Sequence, residues 1–288
     1  MKTAILTDTN SGIYSDEAQR LGIYVMPMPV IINSKTYFEG VNLTEDQLME
    51  ALVDGEKVST SQPAIGDLLD TWDRLLKEYD QVVYIPMSSG LSNSCDAAKA
   101  MALEYNEKVF VVDNHRISVT QRMSVIKAKE MADWGIDGKE IQKRLEREAY
   151  NATIYVSVNT LEFLKKGGRI TPAAATIGSV LNIKPVLSIQ GEKLESFAKV
   201  RGSMKKCEEK MISACKKDLA SRFKDAPADK IHIGGAGAGL SEQETMQWID
   251  MLEQEFPGME VFYNPLTASI STHTGPGAVG IGITIDAD

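Results

Sequence analysis

The chain has little cysteine. Cys95, Cys207 and Cys215 stand alone among 288 residues, with no C-x-x-C pair and too few to pair completely. That excludes a disulfide framework and leads us to expect reduced thiols in a cytoplasmic protein. Histidine is as sparse. His115, His232 and His273 are scattered, none with a second ligand at i+2 or i+4, so neither a metal nor any other cofactor is expected. A basic excess is missing too. The formal net charge of −9 argues against a sequence-independent grip on nucleic acid and against docking on anionic membrane by charge alone. No apolar run reaches bilayer length, and the opening MKTAILTDTN meets an aspartate too soon for a signal peptide or a membrane span. Repeats and low-complexity segments are absent as well.

What remains is an ordinary globular composition, 43% hydrophobic and 25% charged, enough to core one large domain or two smaller ones. Short β-branched runs alternate with longer helical patterns. TAILTD, IYVMPMPVII, TYFEG, QVVYIP, KVFVVD and TIYVSV read as strands. Between them run helical stretches, among them a helix behind the Thr44–Gln47 capping box and two more over Ser118–Trp134 and Gly138–Tyr150. Strands apolar on both faces with helices between them indicate a largely parallel α/β sheet. The second half has another rhythm. KPVLSIQGEKLESFAKV reads as a hairpin turning at Gly191 and Glu192, and a long helix runs from about Ser203 to Phe223. KIHIGGAG, MEVFYN and AVGIGITI are further strands, while ATIGSVLNI mixes apolar and small residues. The expectation is two α/β domains, residues 1–158 and 159–288, with the boundary somewhere between 150 and 165.

Several motifs invite chemistry. GGAGAG, residues 234–239, follows a strand and precedes a helix, but the third glycine of a dinucleotide loop would fall on Leu240, so a tight turn explains it better. SSGLSNS, residues 88–94, offers Ser92 as a nucleophile, with His273 as its base in a serine-dependent acyl hydrolase or acyltransferase. The elbow pattern G-x-S-x-G ends here on Ser94, and no aspartate is marked as orienter. Thr60 and Ser61 in VSTSQP form a second hydroxyl cluster. Each cluster alone reads as a helix cap. Together, at the carboxyl ends of strands and beside helix starts, they suit a carboxylate or phosphate. His273, placed in a glycine-rich turn, and Arg169, placed exposed after the Gly167–Gly168 pair, add donors for an anion.

The assembled set resembles the DegV family of bacterial fatty-acid-binding proteins. The matching segments are TDTNSG, TSQP, SSGLS, FLKKGGRI, IKPVL, KVRG and HTGPGAVG, in family order from residue 7 to residue 280. The resemblance implies two α/β domains, the first with a mostly parallel sheet and the second mixed, holding one long-chain fatty acid such as palmitate between them. It implies that Ser61 and Ser92 bind the carboxylate with Thr60 beside them, and that His273 completes the polar network. Arg169 and Arg201 become candidates for contacting an acyl phosphate or a partner. That partner is a separate fatty acid kinase, which makes acyl phosphate for phospholipid synthesis, so the chain itself is expected to be a carrier and not an enzyme. Asn93 and Ser94 stand where the family often has Gly-Thr, a departure beside the serine that matters most.

Overall fold

The computed structural model describes residues 1–176 and 183–286, so most of the stretch ATIGSVLNI lies outside the described residues. Strand β1 (Thr3–Asp8) is buried at every position, its apolar and hydroxyl run ending in the buried Asp8. Helix α1 (Ser15–Leu21) ends at Gly22 in the left-handed conformation and leads into β2 (Tyr24–Met26). The run IYVMPMPVII, expected as one strand, is two. The second, β3 (Pro29–Ile32), belongs to a different sheet. Pro27 and Pro29 lack the N–H groups that would carry one ladder through. β3 pairs antiparallel with β4 (Lys35–Phe38). Helix α2 (Glu45–Val53) follows behind the expected capping box, and then β5 (Val58–Thr60) pairs with the other edge of β3.

The chain returns to the first sheet through α3 (Ile65–Leu75), β6 (Gln81–Ile85), α4 (Ser94–Ala102) and β7 (Val109–Val111). The sheet order is β2-β1-β6-β7, with every pairing parallel. Helices α5 (Ser118–Asp133) and α6 (Gly138–Arg147) follow, and α5 packs on both large sheets.

Strand β8 (Ala152–Ser157) opens the second half, followed by the short helices α7 (Glu162–Gly167) and α8 (Pro172–Ala175). The hairpin β9 (Ile183–Ile189) and β10 (Glu195–Arg201) is antiparallel, as its sequence indicates. Then come α9 (Met204–Ala220), β11 (Ile231–Gly237), α10 (Glu242–Glu255), β12 (Glu260–Tyr263), α11 (Ala268–Thr274) and β13 (Val279–Ile285). Their sheet, β10-β9-β8-β13-β11-β12, is mixed, with only β11 and β12 parallel. β8 therefore sits inside this second sheet, so the two sheets part company in the segment just ahead of Ala152.

Three core clusters lie within one half, and the small one around β3 adds Ala268 from the second, but one draws heavily on both halves. It joins Met28, Met87, Leu91 and Val119 to Ile154, Val156, Leu187, Ala236 and Leu266. This shared core surrounds the cavity described next.

Candidate ligand-binding site

The cavity, counted out to the solvent at its mouth, holds about 890 Å³ of empty space. Met28, Met87, Leu91, Ile117 and Val119 line it from the first half, and Ile154, Val156, Leu194, Leu266 and Ile270 from the second. Polar side chains are few: Thr60, Ser61, Gln62, Ser92, Arg169 and His273, with Ser118, Ser269 and Thr274 as further hydroxyls. Burying an alkyl chain here gains about 0.8 kcal/mol per CH₂ before ordering costs. Polar atoms at one end then decide which head group is tolerated.

Strand β5 delivers Thr60 and the following turn delivers Ser61. Thr60 Oγ1 lies 2.8 Å from His273 Nε2. Burial, reinforced by the nearby Arg169 charge, lowers the His273 pKa to about 4, so the imidazole is neutral at pH 7. In the tautomer whose Nε2–H donates to Thr60, the threonine hydroxyl is left to donate to a ligand. Ser92 Oγ accepts from the Ser94 N–H at 3.2 Å, which likewise leaves its own proton to donate. Ser61 Oγ, at the exposed rim, donates to the Gln62 carbonyl at 3.1 Å. Arg169 Nε donates to the Leu91 carbonyl at 3.2 Å, and its Nη1 reaches the Gly167 carbonyl. Neutral donors with one guanidinium nearby suit a single carboxylate.

The backbone around these groups is held from beneath. Asp8, fully buried in TDTNSG, accepts from the Met87 N–H at 2.9 Å, the Asn10 N–H at 3.0 Å and Gln121 Nε2 at 3.1 Å. Burial raises its pKa despite those bonds. The Met87 bond fixes where the serine loop departs from β6. Ser88, itself buried, donates to the Gly191 carbonyl at the tip of the β9–β10 hairpin. A Cβ on Gly90 would lie 2.3 Å from that same carbonyl oxygen, and one on Gly167 would lie 2.1 Å from His273 Nδ1. Glycine at position 90 lets the hairpin of the second half close on the first, and glycine at position 167 leaves room for the His273 ring within the second half.

Thr60, Ser61, Ser92, Arg169 and His273 thus meet at one cavity. Arg201 does not, being exposed on the edge strand β10. Two placements differ from the sequence reading. His273 is near the carboxyl end of helix α11 rather than in a turn, and Arg169 is half-buried rather than exposed. The Ser/Thr-rich segment 267–274 shows no amphipathic period, and the Leu91 carbonyl that holds Arg169 is 78 residues away. The cap reading also changes. The N-cap residues are Ala64 and Asn93, and neither makes a side-chain cap bond.

As a hydrolase centre the arrangement is deficient. Ser92 Oγ is engaged by the Ser94 N–H, His273 Nε2 by Thr60, and no carboxylate pairs with His273 among the described residues. GGAGAG is no phosphate cradle. Its first four residues are in β11, the Ala238 N–H donates to the Ala278 carbonyl, and the Gly239 N–H donates to the Glu45 carboxylate. His232 lies apart from the cavity, between Glu260 (2.6 Å) and Asp286 (3.0 Å). Among the described residues, no cluster of metal-ligating side chains occurs and no helix is long and apolar enough to cross a membrane.

A family model described as "Uncharacterised protein, DegV family" matches residues 2–286. Protein DegV of Bacillus subtilis is 31% identical over 284 residues, covering 98% of each chain. A solved DegV family protein from Thermus thermophilus, reported for fatty acid binding, superimposes with a TM-score of 0.88 at 30% identity, over 99% of this chain and 100% of that one. The structure of Bacillus subtilis DegV, described as a fatty acid binding protein, gives 0.86 at 29% identity over 99% and 100%.

Proposed function

Because this chain belongs to the DegV family, we propose that it binds one long-chain fatty acid in the shared cavity and acts as a carrier rather than an enzyme. The observation that carries this reading is the cavity itself, with mostly apolar walls and with Thr60, Ser61, Ser92, His273 and Arg169 among its polar lining. Fatty acid binding described for the solved relatives supports it. The carboxylate accepts from the Ser92 and Thr60 hydroxyls, and Ser61 serves the rim. Neutral His273 aligns Thr60 without adding a charge, and Arg169 offsets the charge of the head group.

In this reading a carboxylate near the mouth is presented to a separate ATP-dependent fatty acid kinase, and the acyl phosphate enters phospholipid synthesis. Arg201, exposed on β10 and outside the cavity, is a contact for that partner, whereas Arg169 serves the anion. The lobes are the two sheets with their helices, divided close to residue 150.

The test is uptake of palmitate by the delipidated chain and by its Ser92→Ala variant. The wild type takes up one molecule saturably. The variant binds about ten- to a hundredfold more weakly, as expected when one hydrogen bond to a charged group, worth about 1.5–3 kcal/mol, is lost. Equal affinity of the two removes Ser92 from the site, and no uptake by either sinks the carrier reading.

A further inference from the structure

Helix α11 is a thin wall with a cavity on each side. Ser269, Ile270, His273 and Thr274 line the main cavity, whereas Ala268 and Ser271 line a second one of about 600 Å³ of empty space, counted out to the solvent. Leu266, just ahead of the helix, lines both. Its backbone is pinned: the N–H donates to the Gly237 carbonyl at 2.8 Å, and the carbonyl accepts from Ser271 Oγ at 3.0 Å. The side chain is buried in the core cluster that walls the main cavity. Met49 packs against that cluster while lining the second cavity, so the partition there is about one side chain thick.

The seven residues of α11 span about 10 Å. His273 stands near one end of that length and Leu266 beyond the other. A carboxylate held at the His273 end therefore runs its tail along the helix toward Leu266. We propose that Leu266 is the stop that sets the longest chain the main cavity accepts. The second cavity, with Leu43, Leu48 and Met49 among its walls, is the room that opens when the stop is shortened. This assignment rests on the fatty acid reading above.

The test offers delipidated protein an equimolar mixture of myristate, palmitate, stearate, arachidate and behenate, and reads the bound species by native mass spectrometry. Leu266→Ala should raise the arachidate-to-palmitate ratio by tenfold or more over wild type. Each added methylene is worth about fourfold, the equivalent of ~0.8 kcal/mol per buried CH₂. Leu266→Val, which removes a single carbon, should give a smaller rise and keeps the comparison if the alanine variant fails to fold. An unchanged ratio in the variants, with wild type loaded, overturns the role of Leu266 and leaves the fatty acid reading standing. A wild type that takes up none of the mixture overturns both.

Discussion

Glu39 shows at the scale of one residue how the site is held in place. Its Oε1 accepts from Tyr14 Oη at 2.8 Å and from the Ala268 N–H at 2.5 Å, which ties down the start of the helix that carries His273. Burial dominates those bonds and raises its pKa from 4.5 to about 7. A carboxyl whose folded pKa is raised costs stability when ionised. The cost is absent below pH 4.5, grows between pH 4.5 and 7, and stays constant above. Glu39→Gln keeps an acceptor oxygen and removes the charge. Chemical denaturation should therefore find the variant more stable at pH 8, by on the order of 1–2 kcal/mol, with the difference gone near pH 4. A variant less stable at pH 8 would show that the ionised form is favoured where it lies. His273 has the opposite linkage. Its pKa is lowered to about 4, so it contributes stability as a neutral ring, lost as pH falls from 6.5 through 4.

Among the elements, α7 and α11 form the most demanding contact at the site, since Gly167 of one touches the imidazole of the other. Gly167→Ala places a methyl where His273 Nδ1 now lies and pushes the ring off Thr60. Palmitate affinity should fall at least tenfold while the circular dichroism spectrum is kept. Unchanged affinity would mean that the Thr60–His273 bond is unnecessary. Much of this arrangement was legible in the sequence. The hydroxyl segments that line the cavity stood out in the sequence because two of them fall at carboxyl ends of strands, and β9–β10 and the capped helices carried their own local signals. The partition helix was not legible. Its hydroxyls bond to backbone carbonyls of their own segment, as Thr272 does to Ala268 (2.9 Å), so the helix needs no apolar stripe to form. Arg169 was misread for a different reason: its guanidinium is held by the Leu91 carbonyl, a contact that no local pattern encodes. The split of IYVMPMPVII was encoded by Pro27 and Pro29, whose missing donors mark the change of sheet.

The whole molecule joins a parallel sheet and a mixed sheet over a common core, and the cavity lies in that core, not on either sheet alone. Ligand and closure are then linked, because apolar side chains from both halves meet around whatever fills the space. On the carrier reading, a tail that supplies the missing contacts stabilises the folded protein, and without it Met28, Met87, Leu91, Val156 and Leu266 border an unfilled volume. The carrier account therefore expects the protein to be isolated with its ligand in place. The direct test is mass spectrometry of the purified chain, first under native and then under denaturing conditions. The account predicts an added mass equal to one long-chain fatty acid in the first spectrum and the bare chain in the second. A mass that survives denaturation would mean a covalent acyl-enzyme, and no added mass, with none gained on incubation with fatty acids, would contradict the carrier itself.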